Sequence, residues 1–270
     1  MNIYTLCDKI ELQPLIKKRV FSFVENFDFS MVDDYQSEYL VYQNMNKALL
    51  QTQTVLGEDS DGIKILSCML KASVDAYSIY QEKGISDDIY FATMKCFPRF
   101  VDETYRMTSG WSFDRYWWTT RQAGCHLFRI GELEYEMKHI EDNTAVGIHI
   151  PSDANFCPSA IEQSLRDAKK FFSMYYPSLC GAEYRCHSWL LDRQLRGMLG
   201  DNSNIVNFQS RFEIFNEGEA SSEFIEWLFN TKTTDYTTLP ENTSLQEKMK
   251  KHLLSGGVIR NAYGRIKELH

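Results

Sequence analysis

Two residues near the middle of the chain are candidates for a general base. His149 ends an apolar run just before Pro151, and a histidine ionises close to the pH at which enzymes work. Glu134 alternates with Glu132 and Glu136, so the three carboxylates are expected on one face of an extended strand. That face either lines a substrate groove, where Glu134 is the first choice for a base, or is simply solvated. The alternative for His149 is a structural role in a local turn.

His187 and Ser188 are adjacent candidates for hydrogen-bond donors to a substrate carbonyl group. In an extended strand, Cys186 and Ser188 face one way and His187 faces the other. This alternation argues against a nucleophilic pair made of Cys186 and His187. The alternative for Cys186, His187 and Ser188 is a structural role inside the sheet, with their hydrogen-bonding groups paired.

Two other kinds of site are disfavoured by spacing. Ser152 and Asp153 lie close to His149 in the sequence, but a serine triad is defined by geometry in space, and no Gly-x-Ser-x-Gly motif is present. Cys180 and Cys186 are six residues apart, which is unlike the spacing of structural zinc ligands. We therefore predict no metal site.

The composition is that of an ordinary globular protein. Of the 270 residues, 43% are hydrophobic and 24% are charged, and the formal net charge of −8 disfavours binding to nucleic-acid phosphates. The seven cysteines are odd in number and irregularly spaced, which indicates free thiols in a reducing compartment. No apolar run approaches the roughly 20 residues that span a bilayer, and the N-terminus does not resemble a secretory signal. We expect a cytoplasmic protein without nucleic-acid or membrane partners.

The first part of the chain predicts helices. Apolar residues recur at spacings of three and four within residues 12–24, 39–50 and 63–77. Ser86 is the predicted N-cap of a further helix. Pro98 lies inside that helical pattern and should kink or divide the helix just before it.

The second part changes to strand-like alternation, in the order β-β-β-α-β-α-β. A capping box of Ser159 and Glu162 is the predicted start of its first helix. This order predicts an α+β architecture, in which helices pack against a mostly antiparallel sheet. The predicted domains are residues 1–115 and 116–270. The other predicted features are strands at 125–130, 133–138, 145–150, 184–190 and the later part of 205–215, a turn at Asp142-Asn143, and a helix at 245–254.

Four segments resemble a bacterial group of acyltransferase-domain proteins, which join a helical N-terminal domain to a GNAT-like C-terminal domain. The resemblance covers nearly the whole chain and is strongest over residues 111–215. It implies a GNAT-like mixed sheet, mostly antiparallel and flanked by helices, after the helical domain. The segments are Phe-Arg-Ile-Gly-Glu-Leu-Glu-Tyr-Glu at 128–136, Ile-His-Ile-Pro-Ser-Asp-Ala at 148–154, Cys-His-Ser-Trp-Leu-Leu-Asp at 186–192, and Ser-Asn-Ile at 203–205.

This resemblance implies transfer of an acyl group from acyl-CoA, as co-substrate, to an amine or other nucleophile of a small-molecule acceptor. Residues 145–150 would form the central strand, whose end splays away from its neighbour. The turn over residues 151–159 and the following helix N-terminus would face the cofactor pyrophosphate. Asn204 would bind pantetheine amides or make a turn. The implied cofactor-binding residues are Ile150, Ser152, Asp153, Ser159 and Asn204.

Two departures from the GNAT pattern keep other functions open. The loop at residues 151–158 contains no Gly and no basic residue, and Asp153 is an acid where a polyanion would sit. Residues 192–199 contain no Tyr that could protonate the leaving thiolate. The alternative is a non-catalytic module that binds a small molecule or peptide on the same fold. A hydrolase that uses Glu132 and Glu134 is a further alternative.

Overall fold

The chain divides into two compact units, Met1–Ile130 and Gly131–His270. A computed structural model of the protein describes residues 1–140 and 143–267. Across these two ranges, no helix is both long enough and apolar enough to cross a membrane. The first unit is helical, and the second unit contains most of a mixed sheet.

The first unit, residues 1–130, holds eight α-helices and ends in a short strand. The predicted division at Pro98 is confirmed, because one helix ends at Met94 and the next begins at Cys96. Ser86 is the N-cap of the earlier helix, as predicted. The elements are α1 (Ile3–Lys9), α2 (Pro14–Val24), α3 (Asp33–Ser37), α4 (Met45–Leu56), α5 (Ile63–Lys83), α6 (Asp87–Met94), α7 (Cys96–Thr108), α8 (Tyr116–Ala123) and β1 (Leu127–Ile130).

The long helix α5 is the centre of this unit. Gly62 precedes it with a φ of +70°, and a β-carbon at Gly62 would lie 1.9 Å from the carbonyl oxygen of Phe113, so only glycine fits there. Helices α1, α2 and α8 contact α5, and β1 contacts α6. These contacts place α8 and β1 in the first unit, whereas the sequence places the domain boundary between residues 115 and 116.

The second unit alternates strands with helices. Within the described residues, the chain has a six-stranded sheet in the order β1-β2-β3-β4-β6-β5. Strands β3 and β4 pair in parallel, and the pairs β2–β3, β4–β6 and β5–β6 are antiparallel. The predicted mixed, mostly antiparallel sheet is therefore confirmed. The elements are β2 (Leu133–Ile140), β3 (Asn143–His149), α9 (Pro158–Tyr175), β4 (Glu183–Ser188), α10 (Leu195–Met198), α11 (Asn204–Ser210), β5 (Phe212–Asn216), α12 (Glu223–Phe229), α13 (Ser244–Leu254) and β6 (Ala262–Ile266).

One face of this sheet packs against α9. The Tyr135 hydroxyl and Ser164 Oγ are 2.9 Å apart, and the Tyr184 ring contacts the rings of Tyr135 and Phe172. The predicted apolar stripe of α9 is buried, with Leu165 fully covered. Because side chains alternate along a strand, the other face carries Glu134, Glu136, Lys138, His149 and His187.

Several predicted boundaries are wrong. Helix α9 begins at Pro158, which suits the first helical position, so Ser159 lies inside the helix and does not cap it. The strand predicted in the later part of 205–215 is confirmed as β5, whereas residues 204–210 form helix α11. The predicted strand at 184–190 ends at Ser188, where a 3₁₀ turn begins. The predicted turn at residues 142–143 includes Asp142, which lies outside the described residues.

A long segment, residues 217–261, connects β5 to β6. It contains α12 and α13, whose apolar side chains form one cluster that includes Phe224, Met249 and Leu253. Ala262 at the start of β6 pairs with Ser188 at the end of β4. The connecting segment therefore joins the sheet at the end where the parallel strands β3 and β4 terminate.

Candidate active site

The parallel strands β3 and β4 bring two predicted residues, His149 and His187, to the same end of the sheet. Ile148 pairs with Cys186, which is the last pair of the parallel register. The next residues along the two strands are His149 and His187, and both lie on the face opposite α9. The structure thus joins two candidates that are 38 positions apart in the sequence.

His149 is bound by a carboxylate from the adjacent strand. His149 Nε2 lies 2.8 Å from Glu136 Oε2, and Lys138 Nζ lies 3.3 Å from the same oxygen. Glu134 is directly opposite His149 in the strand register, and Glu136 is opposite Gly147. The carboxylate that lies 2.8 Å from Nε2 therefore belongs to Glu136, two residues along β2 from the residue opposite His149.

The solvated-face interpretation of the acidic run is wrong. The exposed fractions of Glu134 and Glu136 are 3% and 1%, and buried carboxylates require compensating partners. Glu132 lies before β2, in a turn, and its carboxylate accepts a hydrogen bond from the Asn155 backbone amide at 2.8 Å. Glu134 and Glu136 therefore share the strand face. Glu132 is hydrogen-bonded instead to the loop that follows β3.

His187 is held against an aromatic ring. The rings of His187 and Tyr263 stack with centroids 3.8 Å apart. Partial burial lowers the pKa of His187 below its usual 6.5, and the charges of Lys138 and His149 lower it further, whereas a hydrogen bond to the Asn261 carbonyl opposes the shift. The imidazole of His187 is therefore neutral at pH 7.

Cys186 and Ser188 have structural contacts on their strand. Burial raises the pKa of the Cys186 thiol to about 12, so it carries no thiolate at neutral pH and cannot act as a nucleophile. This agrees with the argument from alternation against a Cys-His pair. Ser188 Oγ accepts a hydrogen bond from the Leu190 amide at 3.2 Å, which leaves the hydroxyl proton for another acceptor.

The loop between β3 and α9 contains three of the predicted cofactor-binding residues. Ile150 directly follows β3 and packs against the apolar cluster of the connecting segment. The next four residues form a turn, closed by a 3.0 Å hydrogen bond from the Ala154 amide to the Pro151 carbonyl. Ser152 and Asp153 are the exposed central residues of that turn.

The N-terminus of α9 carries a thiol and a guanidinium group. Cys157 is its N-cap residue, and hydrogen bonds from Ser159 and the first-turn amides lower the pKa of the thiol. Arg211 Nη2 donates to the Pro158 carbonyl at 3.0 Å, and Arg211 Nη1 lies 3.6 Å from Glu162. Glu162 therefore does not take part in the predicted capping box, and its carboxylate forms ion pairs instead.

Asn204, the last predicted cofactor-binding residue, begins α11. Its side chain is exposed, and the helix is capped by Ser203, whose Oγ accepts from the Ile205 amide at 3.3 Å. The structure does not bring Asn204 into contact with His149 or His187.

Three groups at this site were not predicted from the sequence as parts of it. Glu136 appears in the sequence only as a member of the acidic run, and its contact with His149 depends on the β2–β3 register. Arg211 and Tyr263 come from distant segments and have no local signal. Among the described residues, no three His, Cys, Asp or Glu side chains come together as a set of metal ligands.

Comparisons with known proteins cover both halves of the chain. Residues 1–125 match the family described as the N-acyltransferase N-terminal domain, and residues 127–266 match the GNAT-like C-terminal domain. No curated protein matches the chain in sequence.

Solved structures with a similar fold are all described as acyltransferases. One, in complex with decanoyl-CoA and teicoplanin, has a TM-score of 0.79 and 21% identity over 97% of this chain and 86% of its own. A mutant in complex with octanoyl-CoA has a TM-score of 0.80 and 20% identity over 98% and 87%. A third, in complex with CoA and 10C-teicoplanin, has a TM-score of 0.79 and 20% identity over 97% and 86%. At these identities, the similarity shows a common fold.

Proposed function

Because the chain belongs to the family that joins an N-acyltransferase N-terminal domain to a GNAT-like C-terminal domain, we propose that it is an acyl-CoA-dependent N-acyltransferase. An amine of a small-molecule acceptor attacks the thioester carbonyl directly, and coenzyme A leaves as the thiol. The observation that carries this proposal is the His149–Glu136 pair at the end of β3, beside the end of the parallel strand β4. The acyl-CoA complexes of the similar structures support the choice of donor.

His149 is the proposed general base. An ionised carboxylate only accepts hydrogen bonds, so His149 Nε2 donates to Glu136 and Nδ1 is the basic nitrogen. Nδ1 takes a proton from the attacking amine as the new bond to carbon forms. Glu136 orients the ring and stabilises the imidazolium, and Lys138 forms an ion pair with the same carboxylate.

Ser188, at the end of β4, is the proposed donor to the thioester carbonyl. His187 beside it is stacked on the ring of Tyr263 and keeps a lowered pKa. The Ser188 hydroxyl accepts from Leu190 and keeps its own proton, so it can donate to the oxygen on which charge develops.

Arg211 and the N-terminus of α9 are the proposed partners of the coenzyme A phosphates. The loop itself lacks a basic residue, but the fold supplies Arg211 beside the first turn of α9. In the described structure, the buried Arg211 Nε has no hydrogen-bond partner, and the N-terminus of an 18-residue helix favours negative charge. Asp153 does not occupy this position, because it lies in the exposed turn before the helix.

We assign the reaction to the cytoplasm, because reducing conditions preserve the seven free thiols of the chain. The net charge of −8 supports a small-molecule acceptor in preference to nucleic acid.

Thermal unfolding with coenzyme A, acetyl-CoA and longer acyl-CoAs tests the donor. A ligand at 100 times its Kd stabilises a fold by about 2.7 kcal/mol, which should raise the Tm by about 5–11 °C at roughly 2–4 °C per kcal/mol. Release of coenzyme A thiol in the presence of a panel of amines then tests the transfer. His149→Ala should abolish release and leave the Tm shift unchanged. Absence of a Tm shift with every thioester would favour the binding-module alternative.

A further inference from the structure

A line of rings runs from the proposed active site across the sheet. His149 and His187 directly follow Ile148 and Cys186, the last pair of the parallel register, and Tyr263 of β6 pairs with His187. The rings of His187 and Tyr263 stack with centroids 3.8 Å apart. His149, His187 and Tyr263 therefore lie side by side on β3, β4 and β6, on the face opposite α9.

Phe215 extends this line onto β5. The β5–β6 register shifts between Ile214 and Asn216, so Phe215 is the extra residue of a β-bulge, a feature that re-aims a side chain. Its ring centroid lies 6.3 Å from that of Tyr263. Phe215 is 51% exposed and Tyr263 is 39% exposed, so a ligand in solution reaches both rings. We call His187, Tyr263 and Phe215 the aromatic row.

The strand positions next to the aromatic row carry charges that pair with one another. Arg265 Nε lies 2.9 Å from Glu213, and Arg265 Nη1 lies 3.2 Å from Glu183. Arg185 forms an ion pair with the same Glu183. The two positive and two negative charges of these four residues balance. A polyhydroxylated or charged group would compete with these ion pairs, whereas a plain aromatic ring needs only the exposed surface of the row.

We propose that the aromatic row holds an aromatic ring of the acceptor, which makes arylalkyl amines the preferred substrates. The inference rests on the proposed function, because it names the acceptor class of the same site. The amine nitrogen bonds to the acyl carbon, and His149 takes the amine proton. The carbon–sulfur bond breaks, and coenzyme A takes up a proton and leaves as the thiol.

The width of the sheet sets the length of the acceptor. Adjacent strands lie about 4.8 Å apart, which places Tyr263 about 9–10 Å from His149 across β4. A hydrogen bond of about 3 Å between the amine and His149 leaves about 6–7 Å between the nitrogen and the ring. A butyl linker spans this interval.

Steady-state thiol release with 4-phenylbutylamine and 4-cyclohexylbutylamine tests this inference. The two amines match in length and basicity and differ in the aromaticity of the ring. The donor is the thioester that raises the Tm most. Contact between aromatic rings adds about 2- to 12-fold in affinity beyond the area buried. We therefore expect a KM for the phenyl amine about 2- to 12-fold below that for the cyclohexyl amine.

Three variants of the aromatic row make the test specific. Tyr263→Leu and Phe215→Leu should each reduce the preference for the phenyl amine, because leucine is apolar but has no ring. Tyr263→Phe should keep the preference. Phe215→Leu leaves the stack of His187 on Tyr263 in place, so it decides the question if Tyr263→Leu has a lowered Tm.

Tyr175→Leu is the matched control. Tyr175 lies in α9, on the side of the sheet opposite the aromatic row, and its ring packs against Phe171. This variant also exchanges a tyrosine for leucine, and it should keep the preference of the wild type.

Equal KM values of the wild type for the two amines would overturn this inference and leave the proposed function standing. The same holds if Tyr263→Leu and Phe215→Leu both keep the preference, or if coenzyme A raises the Tm but thiol is released only with amines that lack an aromatic ring. If neither coenzyme A nor any thioester changes the Tm and no thiol is released, the proposed function fails, and the assignment of the aromatic row fails with it.

Discussion

The side chain of Lys138 crosses the neighbouring strand at Gly147. A β-carbon at Gly147 would lie 2.6 Å from Lys138 Cε and 3.1 Å from Cδ, so the glycine provides the space that the lysine stem occupies. From there Lys138 Nζ approaches the Glu136 oxygen that also binds His149. Gly147 thus positions the proposed base through two intermediate side chains.

Gly147→Ala should lower turnover and change stability little. The new methyl group displaces the end of a flexible side chain, so the backbone need not move, but Lys138 Nζ leaves the Glu136 carboxylate. A misplaced base costs between about tenfold and a hundredfold in kcat, and the KM for acyl-CoA should stay constant. Thermal unfolding and steady-state thiol release measure the two effects.

A double-mutant cycle provides the control for this prediction. Lys138→Met should reduce kcat in the same way, and the double variant with Gly147→Ala should be no worse than Lys138→Met alone. Additive losses would show that Gly147 acts by a route that does not include Lys138.

Glu136→Gln should reduce kcat more than Glu134→Gln. Both carboxylates are buried on the same strand, and Glu136 Oε2 lies 2.8 Å from His149 Nε2. The amide cannot stabilise an imidazolium, so we expect a loss of about a hundredfold in kcat. Thiol release at saturating acyl-CoA measures both variants. A larger loss in Glu134→Gln would transfer the role of base or orienting group to Glu134.

The pattern of hydrophobic residues predicts the layers of this protein but not its active-site contacts. The stripe on α9 is a local repeat that buries one continuous face, and the alternation in β2 correctly predicts a strand, although that strand also buries Glu134 and Glu136 on its second face. The alternation also places Glu134 and Glu136 on one face, but it does not determine which of them reaches His149. That contact depends on the β2–β3 register, which is set by packing between strands.

Local signals failed where two motifs competed for the same residues. Ser159 and Glu162 have the spacing of a capping box, but Pro158 is favoured at the first helical position and starts α9 earlier. The strand predicted in the later part of 205–215 forms as β5, but the short helix before it, which the Ser203 cap begins, is not among the predicted elements. Arg211 follows that helix, so its position beside α9 could not be predicted.

The stability of the protein should fall between pH 6.5 and mildly acidic pH because of His187. Its pKa in the folded chain lies below the unfolded value of 6.5, chiefly because of partial burial. As the pH falls through 6.5, the unfolded chain takes up a proton before the folded chain does, so unfolding becomes more favourable. Above pH 6.5 both states are neutral, and this contribution is constant.

His187→Gln should therefore flatten the dependence of Tm on pH just below 6.5. Gln keeps a planar polar group against Tyr263 but does not titrate. Denaturant unfolding at several pH values measures the slope directly. An unchanged slope in the variant would assign the acid sensitivity to another group.

Arg211→Ala should weaken the binding of acyl-CoA but not of acyl-pantetheine, which lacks the phosphates of the nucleotide. The guanidinium lies at the first turn of α9, where the proposed site holds the pyrophosphate. Loss of one charge-assisted contact of roughly 1.5–3 kcal/mol corresponds to an affinity loss of about 10- to 150-fold. Arg211→Lys keeps the charge and should retain part of the affinity. Calorimetry with both thioesters measures the difference. If Arg211→Ala weakens acyl-CoA and acyl-pantetheine equally, the residue supports the fold of the site and the phosphates bind elsewhere.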